Sequence, residues 1–411
     1  MFWYYYDYLA ATAIVLQVLF LFNTYQNYRY AIKKAARDNL IYHPCTLLTI
    51  PCKGIDSAFE RNIKSLFDLD YQSYYLHFVV EDITDPAYEV LCRLKDKLAS
   101  SSKTLDVRVL VAGHSDNCSQ KIHNLLYSCS NAPKGVEVFA FADSDACLRP
   151  DWLSHLVYPL RKSKSKRGAS TGYRWFVPQQ NNLPSLVLSA MNAKIAQMLG
   201  SSIFNKAWGG SMAIRTETFY RIGLDKIWGN ALSDDLCLSR AVKKANMKVV
   251  FVPACLVASY EKTTWVKLFE FVRRQFLITR VTMPGTWWFG MFSSVYSLAG
   301  LWAGGVLAVY AGFTNQSNLK LYISVPVLFF LGQIIRAGLR QRMIVKLLPH
   351  DAERLKAAII TDIMGNCLWS WLLFFCILSS AFGRTITWRG IRYRLIGPTE
   401  IKIISSEQEE Q

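Results

Sequence analysis

The apolar residues of this chain gather at its two ends, and that placement limits the possible folds more than any single motif does. The first run extends from Tyr8 to Phe22, preceded by Phe2, Trp3 and Tyr4 to Tyr6. A run of this length spans a hydrocarbon layer once its aromatic residues sit at the interface. No basic residue precedes it and no small-residue cleavage site follows it, so residues 1–28 read as an anchor and not as a cleaved signal. Arg29, Lys33, Lys34 and Arg37 come next. By the positive-inside rule they stay cytoplasmic and the N-terminus faces out. Three further runs lie in the last third, at Trp287 to Phe313, Leu321 to Ile335 and Ala357 to Phe382, the last carrying Asp362 and Asn366. The expected organisation is therefore an anchor, a cytoplasmic domain over 40–282, membrane helices over 283–385, and a basic then acidic tail over 386–411. One conflict stands. Three C-terminal crossings leave the tail outside, whereas Arg384, Arg389, Arg392 and Arg394 favour the inside.

Apolar residues make up 52% of the 411 and charged residues 19%. This excludes a disordered chain, which needs low hydrophobicity and high net charge. The formal charge is +17. With the apolar excess, this points to anionic substrates or an anionic membrane surface, and not to nucleic acid. The ten cysteines include no CxxC pair. They read as reduced thiols on the cytoplasmic side.

The middle reads as alternating strands and helices. Strands are expected at Thr46–Pro51, Tyr75–Val80, Val107–Val111 and Val136–Ala142. Helices are expected at Ser57–Phe67, Ala87–Leu98 and Lys121–Cys129. That alternation predicts an α/β domain on a mostly parallel sheet, with ligands beyond the carboxyl ends of the strands. Two of the strands run directly into acids there, Glu81-Asp82 and Asp143-Ser144-Asp145.

Two carboxylates two residues apart, as in Asp143 and Asp145, suit one hard divalent cation whose shell is completed by phosphates. Capping of a strand-to-helix turn is the structural alternative. Asp82 either contacts a nucleoside or caps the helix after Asp85 and Pro86. Ser233-Asp234-Asp235 opens a helix over Leu236 to Val242, so these residues either cap it or include a base for an attacking hydroxyl. Arg273, Arg274 and Arg280 share an amphipathic segment with Phe269, Phe271 and Phe276, and meet either lipid phosphates or a diphosphate. Lys121 with Asn124 is a weaker signal. Gly209-Gly210 suggests close backbone approach to a ligand.

Taken in order, VEDITDP at 80–86, GHSDNCSQKIHNL at 113–125, FADSDACLRPDWL at 141–153, GGSMAIR at 209–215, ALSDDLCLSRAV at 231–242, FEFVRRQFLITR at 269–280 and TWRGIRYRL at 387–395 resemble the membrane-bound inverting glycosyltransferases of the family 2 class. The match is closer to the ceramide glucosyltransferase type, family 21. The resemblance implies a GT-A type domain that binds a nucleotide-diphospho-sugar, with transmembrane helices at both ends. It implies that Asp82 contacts the nucleotide, that Asp143 and Asp145 hold Mg²⁺ or Mn²⁺, and that Asp235 is the general base with Asp234 beside it. Lys121 falls where the family has a Lys near the donor. Arg274 falls at the Arg of the (Q/R)xxRW motif, although Gln275 stands in place of the Trp and Phe271 in place of the leading residue. The donor implied is a UDP-sugar, most simply UDP-glucose, and the acceptor a membrane lipid such as ceramide. The apolar segment Leu183 to Phe204 is expected as an amphipathic stretch at the membrane surface. A processive polysaccharide synthase is the runner-up, and it usually carries the full motif. A transporter or scaffold would need ionisable residues along its spans, whereas here the acids cluster in the soluble part. The membrane implied is a bacterial plasma membrane or a Golgi membrane.

Overall fold

The computed structural model describes residues 1–38, 40–56, 58–162 and 165–406. The acidic end of the expected tail, 407–411, lies outside the described residues, as does Ser57. The chain begins with one long helix, α1 (Phe2–Ala35). The domain that follows runs β1 (Thr46–Pro51), α2 (Phe59–Phe67), β2 (Tyr74–Val80), α3 (Pro86–Leu98), β3 (Thr104–Val111), α4 (Gln120–Ser130) and β4 (Val138–Ala142). It continues with α5 (Trp152–Val157), β5 (Arg167–Pro178), α6 (Leu183–Ala196), β6 (Ser211–Arg215), α7 (Thr216–Arg221), α8 (Leu224–Trp228), α9 (Asp234–Lys244) and β7 (Lys248–Glu261). The C-terminal part holds α10 (Trp265–Thr282), α11 (Pro284–Leu298), α12 (Gly304–Phe313), α13 (Leu319–Leu347), α14 (Ala352–Met364) and α15 (Asn366–Ser379). Three short strands close it, β8 (Thr385–Trp388), β9 (Ile391–Gly397) and β10 (Glu400–Ser406).

Seven strands form one sheet in the order β3-β2-β1-β4-β6-β5-β7. All neighbours are parallel except β6, which runs against both β4 and β5. The central strands are apolar on both faces, as a sheet covered on both sides requires. Leu48, Ile50, Phe78 and Ala140 are buried with Phe59 and Ile63 of α2 on one face. Leu47, Phe139 and Phe141 are buried with Ile122 and Leu125 of α4 on the other. The expected strands are all present, and the acids after β2 and β4 fall at their carboxyl ends.

Three helical stretches are long and apolar enough to cross a membrane: Phe2–Ala35, Pro284–Phe313 and Leu319–Leu347. The short second run at Leu321 to Ile335 is thus the apolar half of a much longer helix. The third expected span is not one straight helix. At Gly365 the chain bends by 85° between the α14 segment and α15. The fourteen residues of α15 rise about 21 Å, short of the ~30 Å of a hydrocarbon core. Asp362, which interrupts the apolar run, is fully buried and faces Arg340 of α13, which grips it with Nε (2.6 Å) and Nη2. Gln341 adds a bond to the same carboxylate at 2.7 Å, and Arg340 Nη1 reaches Gln197 at 3.1 Å.

The first part of the segment expected to lie amphipathically at a membrane surface, Leu183–Ala196, is also different, whereas Ile203 and Phe204 at its end are exposed. Helix α6 is buried on all sides, from Pro184 to Ala193. It packs in one core with Leu268 and Val272 of α10, Met291 of α11 and Leu373 of α15. Its composition is apolar around the whole circumference, which is what a central helix needs. The sheet domain and the apolar helices therefore share a core across α6.

Candidate active site

A cleft of about 370 Å³ opens at the carboxyl ends of β1 and β4. Strand β4 is a run of five buried residues, and its end delivers Asp143, Ser144 and Asp145 directly into the cleft. Helix α4 starts with Ser119 as its cap, accepting from the Ile122 amide, and turns Lys121 toward the same point. Lys121 Nζ lies 2.6 Å from Asp143 Oδ1 and 3.1 Å from Asp234 Oδ2. One ammonium thus links Asp143 to Asp234 of α9. Burial opposes the charge on Lys121, but Asp143 and Asp234 outweigh it and hold its pKa above the ordinary lysine value. Burial likewise pushes the Asp143 carboxyl up, and Lys121 reverses this and leaves it below the usual range. Asp145 has no such partner. Burial and the neighbouring Asp143 raise its pKa.

The capping reading of Ser233-Asp234-Asp235 is the one the fold displays, and neither acid is among the residues that line the cleft. Ser233 caps α9 by accepting from the Leu236 amide (3.2 Å), and its hydroxyl donates to Asp235 Oδ1 at 2.5 Å. The Leu236 amide also donates to Asp235 Oδ1 (2.6 Å), and the Gly209 amide donates to Oδ2 at 3.2 Å. Asp234 is only 4% exposed. Burial pushes its carboxyl up to about 6; Lys121 opposes this, and Asp235 and Asp143 add to it.

The glycine pair does allow a close approach, but to the protein's own charged groups. A Cβ on Gly209 would collide with the Asp234 carboxylate and sit 2.8 Å from Lys121 Nζ. One on Gly210 would strike the Trp208 ring and lie 2.6 Å from Asp143 Oδ2. Only glycine lets the acids and Lys121 converge here.

Asp82 is not part of the cleft lining; its neighbour Glu81 is. The Asp82 carboxylate accepts from the Thr84 amide at 2.8 Å, which lowers its pKa. Glu81 meets Lys53 at 3.0 Å and His114 at 2.5 Å. Asp85 takes the capping role, accepting from the Ala87 and Gly54 amides.

On α10 the three arginines separate. Arg273 and Arg280 donate to backbone carbonyls of residues 381–383 and tie the helix to the end of α15. Arg274 lines the cleft, with Nη1 3.5 Å from the Thr387 carbonyl, and Gln275 lines it too.

Two cleft arginines carry no site role in the sequence reading. Arg174 of β5 projects into the cleft among Phe176, Trp208 and Phe271, with ring distances of 4.8–5.5 Å. Arg389 sits at the tip of the β8–β9 hairpin and donates to the Lys53 carbonyl at 3.0 Å. Trp388, Ile391 and Tyr393 of the same hairpin line the cleft beside it. Arg389 and Gly390 have φ of +50° and +80°, the two positive values that a two-residue hairpin turn requires. The alternation in TITW-RG-IRYRL is the signal that a hairpin is there. The base of this hairpin buries Ile386, Tyr393 and Leu395 against Leu232, Leu277 and Ile278. Among the described residues, none of Arg174, Arg274 and Arg389 has a carboxylate within 4.0 Å.

The acids fit a hard divalent cation. Asp145 Oδ1 is buried with no hydrogen-bond partner, and Asp143 Oδ2 is turned toward the Gly210 backbone. No group of three or more His, Cys, Asp or Glu side chains placed to hold a metal ion is present among the described residues. Mg²⁺ and Mn²⁺ suit such a site, because they accept one or two carboxylates and take the rest of their shell from phosphates and water.

The sequence matches glycosyl transferase family 21 over residues 8–401. Among solved structures it is similar to the mannosyltransferase PcManGT from Pyrobaculum calidifontis, determined with GDP-Man and Mn²⁺, at 13% identity and a TM-score of 0.45 over 90% of this chain and 97% of that one. It is also similar to S. aureus TarS 1–349, at 11% identity and a TM-score of 0.37 over 88% of this chain and 99% of that one. A third is M. tuberculosis glucosyl-3-phosphoglycerate synthase, at 14% identity and a TM-score of 0.32 over 55% and 76%. The mostly parallel sheet with paired acids at the end of β4, flanked by apolar helices at both ends of the chain, is an α/β GT-A glycosyltransferase architecture. With the match covering nearly the whole chain, this protein belongs to glycosyl transferase family 21.

Proposed function

We propose that the protein transfers a hexose, most simply glucose, from a UDP-sugar to the hydroxyl of a membrane lipid such as ceramide, with inversion at the anomeric carbon. The observation that carries this reading is the imbalance of charge across the cleft. Among the described residues Arg174, Arg274 and Arg389 converge without carboxylate partners, beside an acid pair that keeps a buried, unpartnered oxygen. A diphosphate with a divalent cation complements both halves at once. Asp143 and Asp145 would hold the cation, which supplies charge neutralisation on the departing diphosphate. The nucleoside would lie toward Glu81 and Asp82. Asp235 would act as the base. Its Oδ1 is occupied by Ser233 and Leu236, and among the described residues Oδ2 accepts only the longer Gly209 bond, which leaves it a lone pair for a proton. The acceptor oxygen bonds to the anomeric carbon as the bond to the diphosphate oxygen breaks. The electron pair leaves with UDP, and the acceptor proton goes to Asp235.

The cleft wall on α10, with Phe271 and Gln275, is continuous with the core of α11 and α15. This supports an acceptor that stays in the bilayer. For topology, the Arg389–Lys53 bond supports a tail on the domain's side and an even number of crossings between them. We assign crossings to α1, α11–α12 and α13, with α14–α15 re-entrant. The basic residues after α1 and those of the tail then share the cytoplasmic side, which removes the charge conflict.

The test is transfer from labelled UDP-glucose by detergent-solubilised protein with Mn²⁺ and a lipid extract containing ceramide. Label in a ceramide product supports donor and acceptor together. Label in another lipid overturns the acceptor, and transfer from another nucleotide sugar alone overturns the donor.

A further inference from the structure

Away from the donor cleft, a second cavity of about 190 Å³ lies between the end of α1, the turn after α5, and the starts of β5 and β7. Five cations line it: Lys34, Arg37, Arg161, Arg167 and Lys248. All five are partly buried, and Arg37, Arg161 and Arg167 lie close enough to act on the Lys34 ammonium. Among the described residues none of them is within 4.0 Å of a carboxylate. The undescribed positions next in sequence, Asn39, Ser163 and Lys164, carry no acid. Converging like charges without a counterion are unfavourable unless an anion completes the site.

The walls are built, not loose. Tyr30 donates to the Phe251 carbonyl at 2.8 Å and pins the end of α1 to β7. Arg37 and Arg161 stack on the Tyr158 ring at 5.0 and 4.1 Å. Asn205 is 3% exposed, donates to the carbonyls of Gly200 (2.8 Å) and Val249 (3.3 Å), and accepts from the Gly200 amide. That loop carries two large apolar residues at its outer edge, Ile203 and Phe204, 64% and 75% exposed. Its depth relative to a bilayer follows from α1. Gly200 packs directly against Asn27, five residues past Phe22, which is about 8 Å along the helix from the end of the apolar run. That level is the outer limit of the headgroup zone, about 5–7 Å thick on each side of the hydrocarbon, and Lys34, seven residues further along α1, lies about 10 Å to its aqueous side.

We propose that this cavity is a second, non-catalytic site that binds a phosphate-bearing anion, presented by a membrane lipid whose acyl chains lie beside Ile203 and Phe204. An apolar tip next to a cationic pocket is the combination by which a protein holds an anionic headgroup at an interface. The site is separate from the donor cleft and uses none of its residues.

The experiment is thermal unfolding of the full chain in neutral detergent at constant ionic strength. It compares short-chain phosphatidic acid, short-chain phosphatidylcholine and inorganic phosphate. Phosphatidic acid raises the midpoint by several degrees and phosphatidylcholine does not. The Lys34→Gln/Lys248→Gln variant loses the rise, while Lys33→Gln, an exposed neighbour on the same helix, keeps it. Because the double variant relieves repulsion, its midpoint without added anion is equal to or above that of the unaltered chain, which separates lost binding from lost folding. An equal rise with inorganic phosphate keeps the anion site and overturns the lipid as its source. No rise with either anion, or a rise that survives in the double variant, overturns the site.

Discussion

Two buried clusters of opposite charge stand in this molecule, and they are finished differently. Between α13 and α14, Asp362 is met by two nitrogens of Arg340 and by Gln341, and Arg340 spends a further nitrogen on Gln197. At the cleft, Lys121 serves Asp143 and Asp234 together, and among the described residues Asp145 keeps an unpartnered oxygen and three arginines face the acids without pairing. A buried charge costs stability unless its hydrogen-bonding capacity is met within the protein. The first cluster meets that condition itself and so belongs to the scaffold. The second leaves it to be met by something that binds.

That contrast can be broken by exchanging one carboxylate in each place. Asp235→Asn removes the proposed base and should lower the rate of sugar transfer about 10²–10⁴-fold, with binding of the UDP-sugar nearly unchanged. Full turnover in that variant would remove Asp235 from the mechanism. Asp362→Asn should do the reverse. It leaves Arg340 buried against a neutral partner and should cost about 3–5 kcal/mol of stability, read as a lowered unfolding midpoint in detergent. The fraction that remains folded should keep its transfer rate. A normal midpoint would mean the cluster is not scaffold.

A finer test concerns the cleft's unpaired cations. Arg389→Asn keeps a residue that tolerates the positive φ of the hairpin turn and removes the guanidinium. Loss of a charge-assisted contact should weaken UDP binding about 10- to 100-fold and leave uridine binding unchanged, as measured by titration calorimetry. Equal loss for both ligands would make Arg389 a prop of the hairpin instead. The smallest expected effect is on pH dependence. Asp234 is neutral below about 6 and charged above it. Its charged form is the one that pairs with Lys121, so the transfer rate should rise with pH through about 6. In Asp234→Asn that limb should disappear from the rate profile.

The site was partly legible in the sequence. Asp143, Asp145, Asp234 and Asp235 follow a strand end and a helix cap, so local pattern marks them, while their meeting at Lys121 is a tertiary contact. The aromatic segment around Arg274 marks the right helix, yet which arginine faces the cleft depends on where residues 381–383 return to meet Arg273 and Arg280. Glu81 and Asp82 are adjacent, and side chains alternate across an extended segment, so the motif alone cannot say which one points inward. Arg174 is one cation within a long strand and bears no local mark. Arg389 and Trp388 belong to a motif that signals the family, but their place in the cleft follows from the packing of the hairpin base on Leu232, Leu277 and Ile278.

By itself, the sequence determined the class of fold and the kinds of chemistry available. Periodicity, strand-end acids and apolar runs are local properties, and short-range sterics and burial act on them directly. Tertiary structure alone decided which charges end up satisfied. Asp362 interrupts an apolar run in the sequence, and only the arrival of Arg340 from another helix turns it into part of the core. Arg389 is one of several arginines in a basic tail, and only the returning hairpin carries it across more than three hundred residues of chain to Lys53. Pairing of charges is a matter of distance in space, and a linear sequence does not contain that distance until the core has folded.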